Sequence, residues 1–308
     1  MHIPADVPKD KQALYCANME KVTKGKDRLM LFAGDQKVEH LNDDFFGKAD
    51  IGNIPSDDNS PEHLFKIARE ATIGCFAAQF GLISQYGRDY ISVPYLVKLN
   101  SKSHLVKSQQ RDPESTAWFS VQDALSLKRI SGLDIVGIGF TVYVGSEFEN
   151  GMLVDAARAV HDAHKEGQIA VLWMYPRGKA ISDEKDPHII AGAAGIGAAL
   201  GADFCKVNYP KPKEGSAAES FKEAVAAAGR TRVITAGGSS TDARKFLQTL
   251  HDQIFISGAK GSATGRNIHQ KTLQEGIAMA NAISSITYGE FSVDDAMKVY
   301  EGKKSFKI

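Results

Sequence analysis

The feature that most constrains the fold is a regular alternation between short apolar segments and longer stretches with helical periodicity. The first apolar segment, residues 28–33, is apolar almost throughout, which indicates a strand buried on both faces, as in a parallel sheet. Eight such segments follow one another at spacings of about 20 to 45 residues. They are residues 28–33, 74–78, 93–99, 135–142, 169–174, 203–207, 232–235 and 254–257.

Helical patterns fill most of the intervals between these segments. They cover residues 62–69, 152–165, 189–200, 217–228, 243–250 and, at the C-terminus, 293–300. Ser216, Ser239 and Ser292 are each followed three residues later by an acid, which is typical of a helix N-terminus. Eight strands that alternate with helices predict a (β/α)8 barrel, or TIM barrel. The alternative, an open dinucleotide-binding sheet, would normally have a Gly-x-Gly-x-x-Gly turn near its first strand. The sequence has no such turn there.

The same pattern predicts the domain organisation. We expect one barrel domain over residues 28–308, which ends in the C-terminal helix, after an N-terminal helical extension at residues 1–27. The chain has 308 residues, of which 43% are hydrophobic, so it can bury one large core.

Charge and cysteine content exclude several classes of partner. Lys plus Arg and Asp plus Glu both total 37, so there is no overall basic field to hold nucleic acid or a membrane surface. Three cysteines without paired spacing favour a reducing compartment. The N-terminus lacks an apolar signal core, and no run of about 18 apolar residues follows it. We therefore predict a cytoplasmic protein.

Residues that could carry chemistry lie at the ends of the predicted strands. Active sites of barrels are built at the carboxyl ends of the strands. Asp35 follows the first strand, Lys98 lies in the third, Trp173 and Tyr175 end the fifth, and Lys206 lies near the end of the sixth. An acid, a phenol and two amines are therefore expected to face one mouth of the barrel.

Lys206 is the candidate nucleophile. An ammonium group in an interior strand costs several kcal/mol to desolvate unless it is paired or deprotonated. One interpretation is that Lys206 reaches solvent or pairs with Asp203. The functional interpretation is that burial and the cations Lys98 and Arg177 lower its pKa, so that the neutral amine attacks a carbonyl and forms a Schiff base.

Asp35 and Tyr175 are candidates for the proton transfers. Asp35 would accept a hydroxyl proton, and Tyr175 would donate a proton to an enamine or to a carbinolamine oxygen. The alternatives are a turn cap for Asp35 and a core phenol bonded to the backbone for Tyr175. His161 and His164 share one helical face but lack a third ligand, so we interpret them as part of a solvated face rather than a metal site.

Two glycine-rich turns predict a phosphate site. They are residues 236–241, which include Ala236, Gly237 and Gly238, and residues 258–267, which include Gly265 and Arg266. The loops after strands seven and eight of a barrel commonly bind phosphate through backbone N–H groups and a short helix N-terminus. Arg266 would add a positive charge at this point.

Six short motifs occur in order along the chain. They are Gly34-Asp35-Gln36 with Glu39-His40, Val97-Lys98-Leu99-Asn100, Val142-Tyr143 with Gly145-Ser146-Glu147, Trp173 with Tyr175-Pro176-Arg177-Gly178, Ala202-Asp203 with Lys206, and Gly265-Arg266-Asn267. From about residue 28 to about residue 285, the set resembles the archaeal-type class I fructose-bisphosphate aldolases. The resemblance implies a (β/α)8 barrel in which Lys206 forms the Schiff base, Tyr175 donates a proton and Asp35 accepts one.

The resemblance also implies a mode of substrate binding and of assembly. Phosphates would be held by Arg177, Gly237, Gly238, Gly265 and Arg266, and barrels would form a ring-like homo-oligomer. No metal is implied, and no cofactor beyond the covalent lysine Schiff base. We further assign Gln36, Lys37, His40, Lys98, Trp173 and Ala236 to substrate or phosphate binding.

Two departures from the family pattern bear on the substrate. Lys37 stands where the family usually has glycine, and it would either bind a substrate phosphate or crowd the mouth. Residues 42–59 lengthen the first loop.

Three functions are compatible with the sequence. The first is reversible cleavage of fructose 1,6-bisphosphate to dihydroxyacetone phosphate and glyceraldehyde 3-phosphate, in glycolysis and gluconeogenesis. The second is a related aldolase, transaldolase or thiolase for another phosphorylated keto compound, as in the 2-amino-3,7-dideoxy-heptulosonate synthases and the autoinducer-phosphate thiolase. The third is a phosphosugar-binding barrel without catalysis, because one barrel hosts many functions. The sequence leaves open whether Lys98 or Lys206 forms the adduct.

Overall fold

Eight parallel strands close into a barrel in the computed structural model, which describes residues 2–308. Each strand pairs with the next along the chain, and Leu29 of the first strand pairs with Gly261 of the last. The strands are β1 Leu29–Ala33, β2 Cys75–Gln79, β3 Tyr95–Lys98, β4 Ile135–Val144, β5 Ile169–Pro176, β6 Phe204–Val207, β7 Arg232–Ala236 and β8 Gly261–Thr264. The predicted (β/α)8 architecture is confirmed.

Helices cover the outside of the barrel and its N-terminal end. They are α1 Gln12–Thr23, α2 Gln36–Glu39, α3 Glu62–Glu70, α4 Phe80–Tyr86, α5 Val121–Ser131, α6 Glu149–Lys165, α7 Pro187–Ala199, α8 Ala217–Ser220, α9 Lys222–Ala228, α10 Ala243–Phe255, α11 Arg266–His269, α12 Leu273–Gly289 and α13 Val293–Tyr300. Two 3-10 helices span Ser56–Asn59 and Gly87–Tyr90. No helix among residues 2–308 is long and apolar enough to cross a membrane.

The eighth strand was predicted in the wrong place. Residues 254–257 form the end of α10 and the turn after it, and the strand is Gly261–Thr264. This strand consists of Gly, Ser, Ala and Thr, so it lacks the apolar run by which the others were found. A side chain at Gly261 would overlap the backbone of Leu29, and its φ of 120° also favours glycine. The predicted turn over residues 258–267 therefore contains a strand.

The predicted helix starts were confirmed only in part. The hydroxyl of Ser292 accepts a hydrogen bond from the backbone N–H of Asp295, as expected for an N-cap. The side chain of Ser216 makes no capping hydrogen bond. Asp242, not Ser239, caps α10 by accepting from the N–H of Lys245.

Alternating side chains of the strands divide the core into two layers. Inward-facing residues such as Leu31, Phe204 and Ile234 fill the barrel, and α1 adds Tyr15 and Met19 to this cluster. Outward-facing residues form a larger cluster with the surrounding helices. Helix α1 thus closes the N-terminal end of the barrel, and the opposite end is left for a site.

The long polar loop after α2 packs against α11, the short helix that follows β8. It contains a hairpin, Lys48–Ala49 and Gly52–Asn53, and then the 3-10 helix Ser56–Asn59. In this loop Asp58 Oδ2 lies 2.8 Å from His269 Nδ1, and the ring of Phe45 stacks on His269 at 4.7 Å between centroids. The loop is therefore fixed to α11, the helix that begins with Arg266.

Candidate active site

A polar cavity of about 110 Å³ opens at the carboxyl ends of the strands. It brings together eleven residues that the sequence had assigned to the site: Asp35, Gln36, His40, Tyr175, Arg177, Lys206, Ala236, Gly237, Gly238, Gly265 and Arg266. Glu39, Asn208 and Ala263 complete the lining. Among the assigned residues, Lys98, Trp173 and Lys37 do not line this cavity.

Lys206 is buried and faces the cavity. It lies on β6, paired with Trp173 of β5 and Ile234 of β7, and its side chain is on the inner face of the barrel. Only 4% of its surface is exposed, and Nζ lies 5.0 Å from the centroid of the Trp173 ring. Burial lowers the pKa of Lys206, against the opposing effect of Asp35 and Glu39. A larger share of the amine is therefore neutral at a given pH, as a nucleophile requires.

Asp203 is not the partner of Lys206. Its carboxylate accepts hydrogen bonds from Tyr15 and from the backbone N–H of Ala170, and it contacts His164, all at the N-terminal end of the barrel. The alternative in which Lys206 pairs with Asp203 is wrong, because the two side chains belong to opposite ends of the fold.

Lys98 is also buried, but it is enclosed by protein groups. Its Nζ donates to Thr141 Oγ1 at 2.5 Å and lies 3.9 Å from Asp35 Oδ2. It also lies 3.8 Å from the centroid of the Trp173 ring, so the two lysines share this indole. Burial lowers the pKa of Lys98 to about 8, although Asp35 and Glu39 oppose the shift. Lys98 therefore serves as a cation next to the cavity rather than inside it.

Two carboxylates lie side by side at the cavity, and the sequence had singled out only one. Asp35 and Glu39 are four residues apart in the turn and short helix after β1, and both are buried. Asp35 Oδ2 and Glu39 Oε1 have no hydrogen-bond partner among the described residues. Burial, and then the charge of Asp35, raise the pKa of Glu39 to about 7. The i,i+4 spacing, which places two residues on one helical face, was the signal that would have found Glu39.

Two tyrosines are neighbours on adjacent strands. Tyr143 of β4 pairs in register with Tyr175 of β5. Burial, then the negative charge of Glu39, raise the pKa of each phenol well above its ordinary value. The hydroxyl of Tyr143 has no hydrogen-bond partner among residues 2–308. Both phenols therefore remain protonated and can donate hydrogen bonds. From the sequence, Tyr143 was named only as part of a motif and was given no role.

The glycine turns after β7 and β8 form one wall of the cavity. A Cβ at Gly265 would overlap Gln36 Nε2, so glycine lets the chain pass against Gln36. Gly238 has a φ of 67°, in the left-handed region. The amide of Asn267 donates to Gly237 O at 2.9 Å and to Ser239 O at 3.1 Å, which ties the two turns together. The wall presents backbone and the Arg266 side chain to a ligand.

Arg177 lies at the mouth and is already paired. Its Nε and Nη2 donate to the two carboxylate oxygens of Glu184, each at 2.8 Å. Nη1 lies 3.3 Å from His104 Nε2. A phosphate that approaches Arg177 must therefore compete with Glu184.

Lys37 is turned away from the cavity. Its Nζ donates to Asn59 O at 2.9 Å and to Asn42 Oδ1 at 3.1 Å, and it lies 4.2 Å from the centroid of the Phe45 ring. The lysine that departs from the family pattern thus holds the long loop, and it neither contacts the cavity nor crowds it.

The two histidines of α6 do not form a uniformly solvated face. His161 is exposed, but only 1% of the His164 side chain is, and this ring lies between Asp6 at 3.0 Å and Asp203 at 3.2 Å. The solvated-face interpretation is wrong for His164, because α1 and the residues before it cover this end of the barrel. Within residues 2–308 no group of three His, Cys, Asp or Glu side chains could hold a metal ion.

This arrangement supports chemistry on a carbonyl compound. A buried amine with a lowered pKa, the protonated phenol of Tyr175 and two carboxylates line one small space, and Tyr143 lies beside Tyr175 on the neighbouring strand. A wall of glycine backbone and Arg266 lies beside them and can bind an anion.

Comparisons with known proteins agree with this chemistry. The family described as DeoC/LacD family aldolase matches residues 29–271. The chain is 55% identical over 302 residues to a fructose-bisphosphate aldolase/6-deoxy-5-ketofructose 1-phosphate synthase of Methanocaldococcus jannaschii, covering 98% of this chain and 95% of the relative. It is 32% identical over 275 residues to the class 1 fructose-bisphosphate aldolase of Thermoproteus tenax, covering 89% of this chain and 95% of the relative.

Solved structures give the same result. A fructose-bisphosphate aldolase from Slackia heliotrinireducens is similar with a TM-score of 0.96 and 50% identity, covering 100% of this chain and 96% of that one. An archaeal fructose-1,6-bisphosphate aldolase has a TM-score of 0.76 and 31% identity, covering 90% of this chain and 100% of that one. In that structure the catalytic lysine is covalently bound to the carbinolamine intermediate of the substrate.

Proposed function

Because this chain belongs to the DeoC/LacD family of aldolases, we propose that it cleaves fructose 1,6-bisphosphate reversibly through a Schiff base on Lys206. The products are dihydroxyacetone phosphate and glyceraldehyde 3-phosphate. The protein is a lyase of the class I type, in which a lysine does the work that a metal does in the other class.

One observation supports Lys206 rather than Lys98 as the nucleophile. Lys206 lines the cavity, whereas Lys98 lies outside it and donates to Thr141. A carbonyl carbon must come within about 3.5 Å of the attacking nitrogen. Only Lys206 offers its amine to a molecule in the cavity.

In the proposed reaction, the other groups of the cavity carry the proton transfers. The neutral amine of Lys206 adds to the C2 carbonyl to give a carbinolamine, which loses water to form an iminium. Asp35 accepts the proton of the C4 hydroxyl, the C3–C4 bond breaks, and its electron pair moves into the iminium to leave an enamine and the aldehyde product. Tyr175 then protonates C3, and water releases dihydroxyacetone phosphate and the free amine.

Substrate orientation comes from the glycine wall. A phosphate at Gly237, Gly238, Gly265 and Arg266 would accept backbone N–H and guanidinium hydrogen bonds. This phosphate fixes the end of the ketose next to the carbonyl, so that C2 reaches Lys206.

Borohydride trapping tests the proposal. The wild-type protein is incubated with dihydroxyacetone phosphate, reduced with borohydride, and digested for mass spectrometry. We expect one reduced adduct on Lys206, the same adduct on Lys206 in Lys98→Met, and none in Lys206→Met. Cleavage of fructose 1,6-bisphosphate should continue in EDTA. An adduct on Lys98, or turnover in Lys206→Met, would contradict the assignment.

The ion pair between Arg177 and Glu184 favours a second reaction at the same site. Glu184 neutralises this cation at the mouth, which lowers the need for a second phosphate on the substrate. The Methanocaldococcus relative carries the name of a 6-deoxy-5-ketofructose 1-phosphate synthase. Cleavage of that product between C3 and C4 gives dihydroxyacetone phosphate and 2-oxopropanal, so the same enamine would add to an aldehyde without phosphate.

Acceptor competition separates the two reactions. The enzyme is given dihydroxyacetone phosphate with equal concentrations of glyceraldehyde 3-phosphate and 2-oxopropanal, and both products are quantified by mass spectrometry. Formation of both products supports one enamine with two acceptors. Absence of the deoxy-keto product limits the protein to the bisphosphate reaction.

A further inference from the structure

A second cavity, of about 300 Å³, lies next to the active site on the other side of the glycine turn after β7. It shares Asn208, Ala236, Gly237 and Gly238 with the first cavity. None of Asp35, Glu39, Tyr175, Lys206 or Arg266 lines it. The cavity is thus separate from the reacting groups but touches the same phosphate-binding turn.

The floor of this second cavity is polar where a barrel is ordinarily apolar. Outward-facing residues of parallel strands usually pack apolar side chains against the helices. Here Thr235 of β7 and Ser262 of β8, which pair in register, both line the cavity and are buried. Val233, two residues before Thr235, packs in the outer apolar cluster, so the change from apolar to polar is local.

Gln253 of α10 completes the floor. The hydroxyl of Thr235 donates to Gln253 Oε1 at 2.6 Å, which leaves the amide nitrogen of this buried glutamine as a donor for a ligand. The floor therefore offers hydroxyl and amide groups for hydrogen bonds.

The rim of the second cavity carries three lysines. Lys185, Lys211 and Lys245 lie on three different segments, and no Asp or Glu is among the lining residues. These lysines form no ion pair within residues 2–308, whereas other surface lysines of the barrel do. The electrostatic potential of such a cavity favours an anion.

We propose that this second cavity binds a small phosphorylated metabolite. The lysines would bind the phosphate, the floor would bind hydroxyl groups, and Tyr209 and Phe246 would contact the carbon skeleton. The volume suits a molecule of a few carbon atoms. Gly237 and Gly238 line both cavities, so the two sites share one turn.

Calorimetry with glycerol 3-phosphate tests the proposal, since this phosphate ester has no carbonyl and cannot form a Schiff base. We expect two binding sites per chain in the wild type. Arg266→Gln should weaken one site about tenfold, and Lys211→Gln with Lys245→Gln should weaken the other by at least as much. Thr235→Val, which removes only a hydroxyl, should weaken that same second site.

Lys213→Gln is the matched control, because Lys213 is exposed but does not line the cavity. It should leave both sites unchanged. A single site that Arg266→Gln removes and the Lys211/Lys245 variant leaves intact would overturn the proposal, as would equal weakening by Lys213→Gln. Borohydride trapping on Lys206 is independent of this result, so the two proposals can fail separately.

Discussion

The Nζ atom of Lys98 lies 3.9 Å from Oδ2 of Asp35, and both side chains are buried. Thr141 and the face of Trp173 hold the lysine in place. Asp35 Oδ2 has no hydrogen-bond partner among the described residues. The charge of Lys98 therefore compensates that of a carboxylate that, in the proposed mechanism, must be free to accept a proton.

Lys98→Met is expected to destabilise the protein because it removes the ion-pair partner of the buried Asp35. Breaking a buried ion pair from one side costs about 3 to 5 kcal/mol. The double variant Lys98→Met/Asp35→Asn should recover a large part of this loss, because no unpaired charge remains. Urea unfolding of the two single variants and the double variant measures the coupling. Additive losses would show that the pair is not coupled.

Lys206→Met is expected to abolish turnover but to stabilise the fold. The amine of Lys206 is buried, and burial disfavours its charged form. Taking a single ammonium group out of water costs several kcal/mol, and a methionine side chain of similar length removes this cost. A rise in the urea midpoint together with loss of the borohydride adduct is the expected result. Lys206→Arg, which keeps the charge, should lose turnover without the gain in stability.

Glu39→Gln is expected to change the pH dependence of catalysis. The pKa of Glu39 is raised to about 7 by burial and by Asp35, so the carboxylate ionises near neutral pH. An ionised Glu39 stabilises the positive iminium, and kcat/KM should therefore rise as pH increases through about 7. In Glu39→Gln this rise should disappear, while the dependence on Lys206 ionisation remains. An unchanged profile of kcat/KM from pH 5 to pH 9 would rule out this role.

The ionisation of His164, at the N-terminal end of the barrel, is expected to make the free energy of unfolding depend on pH. Burial alone lowers the pKa of His164, but its contacts with Asp203 and Asp6 raise it overall. Since the folded-state pKa lies above the unfolded value of about 6.5, the stabilisation is fully present below that pH and is lost as pH rises through the folded pKa. Urea unfolding from pH 5 to pH 9 should show this decline in the wild type.

The matched pair of variants for this prediction is His164→Gln and His161→Gln. His164→Gln should remove the decline in stability with rising pH. His161→Gln should retain this decline, because the His161 side chain is 63% exposed and its contact with Asp6 is long, at 3.8 Å. Equal slopes in the two variants would assign the pH dependence to another group.

The sequence predicted most of the proposed catalytic groups because one rule located them. Residues at the carboxyl ends of parallel strands meet at one mouth, so Asp35, Tyr175 and Lys206 could be placed together without coordinates. Glu39 was missed because it lies one helical turn beyond a strand end. Tyr143 was missed because its importance comes from pairing with Tyr175, a contact between residues far apart in the chain.

Other differences arise from packing that local sequence does not encode. Strand β8 is Gly-Ser-Ala-Thr, and its Gly261 lets the backbone of Leu29 pass, so a hydrophobic pattern could not find this strand. Lys37 stands next to catalytic residues in the sequence, but α2 directs it to the long loop. Sequence adjacency indicates a shared segment, whereas side-chain direction depends on where that segment packs.

Glu184 and a substrate phosphate are expected to compete for Arg177. Glu184 binds Arg177 through two hydrogen bonds of 2.8 Å, yet the pair is partly exposed, so its free energy is small and a phosphate can replace the carboxylate. Glu184→Gln keeps the size of the side chain but removes the competing charge. We expect the KM for fructose 1,6-bisphosphate to fall about threefold to tenfold, because a phosphate gains a charge-assisted hydrogen bond without displacing a carboxylate.

The KM for 2-oxopropanal should stay unchanged, because this acceptor has no phosphate, and Arg177→Gln should raise only the KM for the bisphosphate. Steady-state kinetics with both substrates measures the split. Equal changes for the two substrates would mean that Arg177 shapes the mouth rather than binding a phosphate.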